Sequence, residues 1–168
     1  RIVLGREKKG DNNFYNKYTR ANNFLVKWIK QGILIKDASP SFYIYKQVFN
    51  FAGRKLRRVG FIGLLKLEPP GEGIVFPHEK TFCRPKEDRL SLLKAVQANL
   101  SPIFGLYSDN NFKIDKLIYA KIRAKPLINL KFEGVENRLW KISDEDFIQA
   151  LTRLMSDKKI FIADGHHR

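Results

Sequence analysis

Two short runs in this chain bring together side chains that can do chemistry. His78-Glu79-Lys80-Thr81 places an imidazole, a carboxylate, an amine and a hydroxyl in four consecutive positions. Such a run can supply a general base, a phosphate contact and a metal ligand at once. By composition alone it reads equally as a solvated charged loop. The second run, Asp164-Gly165-His166-His167-Arg168, follows the apolar stretch Lys159-Ile160-Phe161-Ile162-Ala163. A glycine after a strand permits a tight turn that exposes backbone N–H groups. A helix starting there would offer its N-terminus to an anion, and Arg168 would add a bidentate clamp for phosphate oxygens. Asp164 would cap that helix or bind a metal or a hydroxyl. The competing reading is a capping turn with surface His and Arg.

His78, Glu79, Asp164, His166 and His167 are all metal-ligand types, but nothing in their spacing requires them to converge, so no metal site is assigned. The spacing is not HExxH, which excludes the zincin pattern. Nucleophile elbow, Walker loop, dinucleotide fingerprint and kinase signature are all missing from the sequence. Cys83 reads most simply as a small hydrophobe.

The elements that must position these runs follow from periodicity. Residues 11–29 carry Phe14, Tyr18, Ala21, Leu25 and Trp28 at helical spacing, with Asp11 or Asn12 as cap and Gly32 as stop. Residues 42–49 and 58–68 read as paired strands around a basic loop, and Pro69-Pro70-Gly71 ends the second. A short apolar segment, 73–76, leads into His78. Pro85 suits the first turn of a helix over residues 86–100 with Leu90, Leu93, Val96 and Leu100 inward, and Lys86 and Arg89 sharing its first turns. Residues 103–107 read as a strand, while the stretch up to Lys125 is ambiguous. Two strands, 126–133 and 138–142, flank a turn at Gly134. Ser143 and Asp146 resemble a capping pair for a helix through Met155 whose face is Phe147, Leu151 and Leu154. Residues 159–163 form the last strand. The alternation predicts a mixed α/β (α+β) fold, a mixed sheet with interleaved helices, in a single domain or domain fragment spanning 1–168.

Bulk properties narrow the class. The 168 residues are 43% hydrophobic and 12% aromatic, enough for a real core. One cysteine excludes an internal disulfide and suits a reducing, cytoplasmic setting. No signal peptide opens the chain, and no apolar run approaches the roughly 20 residues that cross a bilayer. The start at Arg1, in what reads as mid-strand, and the stop at Arg168 suggest flanking sequence at both ends. Net charge is +15 and uneven: residues 1–60 hold 14 Lys and Arg against 3 Asp and Glu, while 61–168 hold 18 against 14. The basic N-terminal part makes nucleic acid a candidate partner through counterion release, although a merely solubilising surface explains it too.

The run GIVFPHEKTFCRPKEDRLSLLKAVQANLSPIFGLYSD, with RLWKI, IFIADGHHR, SFYIYKQVF and RRVGFIGLLKLE, resembles the uncharacterised prokaryotic family catalogued as domain of unknown function 1015. The likeness covers nearly the whole chain and is weakest over residues 110–125. In that family the pattern continues past GHHR into a helix. More distantly, strand–DGHHR–helix is similar to the phosphate-binding motif of the ParB/sulfiredoxin superfamily, which includes CTP-binding partition proteins, ATP-using sulfiredoxins and free serine kinases. That similarity implies that Gly165, His166, His167 and Arg168 cradle nucleotide phosphates. It also departs from the sulfiredoxins, whose catalytic Cys is replaced here by His166 and His167, so sulfinic acid reduction is not expected. The leading expectation is a nucleotide-dependent phosphotransferase acting on a small hydroxyl-bearing substrate, with ATP or another nucleotide and Mg²⁺ as cofactor. Arg168, His167, Lys80 and Thr81 would hold phosphates, Glu79 or Asp164 would serve as base or Mg²⁺ ligand, and His78 would position the substrate. The alternatives are a nucleotide-responsive DNA-binding regulator of the ParB type and a metal-dependent hydrolase.

Overall fold

A computed structural model describes residues 2–69, 73–79 and 83–167. In chain order its elements are α1 (Lys17–Lys30), β1 (Phe42–Phe51), β2 (Arg54–Ile62), β3 (Val75–Phe76), α2 (Cys83–Val96) and β4 (Phe104–Leu106). They continue with α3 (Lys113–Lys121), β5 (Ile128–Phe132), β6 (Val135–Ile142), α4 (Glu145–Met155) and β7 (Ile160–Asp164). The fold is mixed α+β, as the sequence predicts, and among the described residues no helix is long and apolar enough to cross a membrane.

These elements group into two compact units. One comprises Ala38–Ile74 and Tyr107–Lys159, the other Arg1–Asp37, Val75–Leu106 and Ile160–Arg168. The basic first 60 residues are therefore shared between the units.

The first unit is built on an antiparallel sheet of order β2-β1-β6-β5. Two tight turns set its register. Ala52-Gly53 joins β1 to β2 with φ of 48° and 74°, and Glu133-Gly134 joins β5 to β6 with φ of 48° and 80°. Paired left-handed residues match the right-handed twist of the flanking strands, which is why Gly recurs at the second position. The β1–β2 turn is shorter than the loop expected over residues 51–57, and β2 takes up the basic run as paired strand. Ile44 and Trp140 point from the sheet into the core, where they meet Ile114 and Ile118 of α3 and Phe147 and Leu151 of α4. Both helical pairs are four apart, the spacing that stacks side chains on one helix face. The Trp140 indole N–H donates to Ala124 O at 2.8 Å, so this large ring is buried without an orphaned donor. The ambiguous stretch before Lys125 resolves into α3, started by Asp109, whose carboxylate accepts from the backbone N–H groups of Ile114 and Asp115. The cap of α4 is Asp144 rather than Ser143: its carboxylate accepts from Phe147 N at 2.9 Å. That bond holds the Asp144 carboxyl below its usual value, with Lys121 adding to the effect.

In the second unit, α1 starts later than its periodicity suggests. Asn16, not Asp11 or Asn12, is the cap: its side chain accepts from Tyr18 N and Thr19 N, and Thr19 Oγ1 accepts from Asn16 N at 2.9 Å. Asp11 is engaged instead with Arg20, at 2.5 and 2.8 Å, which lowers its pKa. Ala21 and Leu25 of α1 bury against Leu92 and Val96 of α2. Leu90 and Leu93, expected inward, are exposed. The inward face is shifted because it also carries Asp88, and that polar residue is accommodated by partners on α1. Lys17 Nζ lies 2.8 Å from Asp88 Oδ1, and the Tyr18 hydroxyl donates to the same oxygen at 2.9 Å. Beside this helix pair lies a small sheet of order β3-β7-β4, in which β3 runs parallel and β4 antiparallel to β7.

Candidate functional site

The parallel pairing of β3 and β7 brings the two chemical runs together. Val75 and Phe76 pair with Ile160 and Phe161, and the stacked rings of Phe76 and Phe161 lie 5.4 Å apart. Because the strands point the same way, both chains leave at one edge of the sheet. From β3 emerge Pro77, His78 and Glu79; from β7 emerge Gly165, His166 and His167. The carboxyl ends of adjacent parallel strands are where α/β sheets place their ligand crevices.

At that edge Glu79 Oε1 is 2.7 Å from His166 Nε2 and 3.7 Å from His78 Nε2. The His78 and His166 rings meet edge to face at 5.2 Å, and His166 and His167 rings lie 4.0 Å apart. His166 is the most enclosed of the set, with 13% of its side chain exposed against 50% for Glu79. The close approach of His166 to Glu79 does not meet hydrogen-bond angles, so neither ring nitrogen of His166 has a hydrogen-bond partner among the described residues. Gly165 is buried at φ +87°, a left-handed conformation that makes any side chain there costly. Its N–H is held by Asp164 Oδ1 at 2.7 Å, which fixes the turn.

A cleft of about 500 Å³ opens beside this turn, bounded on one side by residues 164–167 and on the other by Arg84, Pro85, Asp88 and Arg89 of α2. The place of α2 at this cleft does not follow from the sequence pattern. Arg89 lines the cleft, whereas Lys86, expected to share its direction, is exposed and not among the lining residues. The available signal was the spacing of 84, 85, 88 and 89, which puts all four on one helix face directly after the first chemical run. Arg89 is anchored: it donates to the Val3 carbonyl at 3.0 Å and pairs with the Asp88 carboxylate. Burial pushes the Asp88 carboxyl up, but hydrogen bonds from Lys17, Arg89 and Tyr18 outweigh it and hold the pKa at about 2. Asp88 is thus a fixed anion that orients basic side chains at the wall of the cleft. Arg84 makes no ion pair among the described residues.

Of the site residues singled out by sequence, His78, Glu79, Asp164, Gly165, His166 and His167 gather at this sheet edge. Lys80, Thr81 and Arg168 lie outside the described residues.

A family model described as "Protein of unknown function (DUF1015)" matches residues 1–168. The chain belongs to this family. No curated protein and no solved structure matches it.

Proposed function

We propose that the cleft binds the phosphates of a nucleotide and that the protein is a phosphotransferase acting on a small hydroxyl-bearing substrate. The observation that carries the reading is the convergence of the two runs at one sheet edge, with Glu79 Oε1 2.7 Å from His166 Nε2, beside a cleft walled by Arg84 and Arg89. Phosphoryl transfer asks mainly for positioning and charge neutralisation, and this set offers imidazoles and guanidinium groups. The volume of about 500 Å³ falls in the range typical of small-molecule sites.

In this reading His166, His167 and Arg168 hold the phosphates around the turn that Gly165 permits, with Lys80 and Thr81 contributing from the other run. The substrate hydroxyl oxygen bonds to the γ-phosphorus as the bond to the β–γ bridging oxygen breaks. The nucleoside diphosphate leaves, and the hydroxyl proton passes to Asp164 or Glu79 while His78 orients the substrate. Mg²⁺ carried by the nucleotide supplies charge neutralisation. Similarity of the DGHHR run to the ParB/sulfiredoxin phosphate motif supports the same assignment.

The test is calorimetric titration with ATP, ADP and CTP in the presence of Mg²⁺, on the protein and on Arg168→Ala and Arg84→Ala. Saturable binding that both substitutions weaken supports the reading, and a screen of hydroxyl-bearing acceptors follows. Absence of binding by the unsubstituted protein rejects it.

One observation favours a second reading, a nucleotide-responsive DNA-binding regulator: β2 exposes Arg54, Lys55, Arg57 and Arg58 in a five-residue span. That reading requires DNA affinity falling steeply with salt. Phosphoryl transfer in the absence of nucleic acid rejects it.

A further inference from the structure

We infer that His78, Glu79 and His166 form a binding site for a first-row transition-metal dication, distinct from any Mg²⁺ that arrives on a nucleotide. Each residue offers one ligand atom, and the three atoms all lie within 4.8 Å of one another. The separations of 2.7 Å and 3.7 Å from Glu79 Oε1 to the two histidine Nε2 atoms bracket the spacing of ligands around one ion. Ligands about 2.1 Å from a tetrahedral Zn²⁺ sit about 3.4 Å apart, so small rotations about side-chain bonds bring the set into place.

Three features argue for a metal rather than a simple ion pair. Glu79 and His166 approach to 2.7 Å, yet the contact lacks the angle of a hydrogen bond. Two ligand atoms aimed at a third point rather than at each other give that arrangement. His166 is largely enclosed, and its ring nitrogens have no hydrogen-bond partner among the described residues, which is an expensive state for a polar ring in a folded chain. A metal on Nε2 relieves it. Finally, His78 and Glu79 are about half exposed, at 44% and 50%, so a fourth position on the ion faces solvent. Three protein ligands and one open position are the pattern of a catalytic rather than a structural site.

Two imidazoles and one carboxylate select the ion. Imidazole nitrogen favours Zn²⁺, Cu²⁺, Ni²⁺ or Fe²⁺ over Mg²⁺ and Ca²⁺, which prefer all-oxygen sets. The inference shares its location with the proposed phosphate site but does not depend on a nucleotide, so the metal is tested alone.

The experiment is calorimetric titration of ZnCl₂ into metal-free protein without nucleotide, paralleled by the visible absorption of the Co²⁺ form. One Zn²⁺ per chain is expected, with affinity at least tenfold weaker in His78→Ala, Glu79→Gln and His166→Ala and unchanged in Cys83→Ser. Millimolar Mg²⁺ should not displace it. His78 and Glu79 are exposed enough that their substitution leaves the fold intact, which far-ultraviolet circular dichroism checks. No stoichiometric binding, binding lost only in Cys83→Ser, or affinity in all three ligand variants unchanged from the unsubstituted protein overturns the inference. Zn²⁺ binding without nucleotide binding would keep the metal site and reject the phosphotransferase, and the converse result would do the opposite.

Discussion

The two units of this chain differ in a way their cores make visible. The unit holding the four-stranded sheet has long, regular pairing and a cluster in which Ile44, Ile114 and Leu151 are completely buried. The unit holding the candidate site has strands of two, three and five residues and a smaller core of Ala21, Leu25, Leu92 and Val96. Much of its order comes instead from polar contacts around Asp88 and Asp11. Binding and catalytic groups are commonly carried by the less stable parts of a structure, because such groups require side chains that a close-packed core cannot hold. One unit therefore resembles a scaffold, and the other trades packing for a polar, open edge.

The largest effect should come from the scaffold. Phe147→Ala removes a fully buried ring and is expected to cost about 3–5 kcal/mol in urea denaturation. Leu92→Ala, in the smaller core, should cost less, about 2–3 kcal/mol, because a helix pair with few neighbours collapses around the gap more readily. If Leu92→Ala proves the more damaging, the contrast between the units is wrong.

Gly165→Ala sharpens the comparison from the other side. The residue gains no packing penalty comparable to a lost core side chain, but φ of +87° strains any Cβ. A loss of about 1–2 kcal/mol is expected, together with loss of ligand binding out of proportion to stability. Unimpaired binding in a folded Gly165→Ala protein would show that the turn is not the phosphate cradle.

Acid titration reads the polar network. The Asp88 pKa lies at about 2 in the folded chain, below the ordinary 3.8, so its ion pairs stabilise the fold above pH 4. That contribution is lost as pH falls from about 4 towards 2, when the folded state must take up the proton that the unfolded state already holds. With 25% of the side chain exposed, solvent screening leaves about 1 kcal/mol. Asp88→Asn should abolish this part of the pH dependence, seen as a flatter profile of urea midpoints between pH 2 and 4. An unchanged profile would remove Asp88 from the account. Smallest of all, Asn16→Ala should cost about 0.5–1 kcal/mol through loss of the α1 cap, measured the same way.

The unit with the four-stranded sheet is more legible in the sequence than the site unit, for physical reasons. Strand and helix periods are strong where one face meets a large core, so β1, β6 and α4 were legible with Phe147 and Leu151 as the buried pair. Over residues 83–96 the period misled, because Leu90 and Leu93 look like core while Asp88 occupies the inward face through its partners Lys17 and Tyr18. Those partners lie 70 residues away in sequence, and local pattern cannot see them. The chemical residues themselves were readable from type. Their meeting was not, since it depends on β3 and β7 pairing in parallel across more than 80 residues. The role of α2 as a wall of the cleft was hidden for the same reason.

A double-mutant cycle asks whether the two runs work as one site. ATP affinity would be measured in the presence of Mg²⁺ for the protein, Lys80→Ala, His166→Ala and the double variant. Residues that share one ligand couple by about 0.5–3 kcal/mol, so the double variant should lose clearly less than the two single losses combined. Strictly additive losses, or single substitutions without effect on binding, would mean that the runs meet in space without sharing a ligand, and would contradict the account.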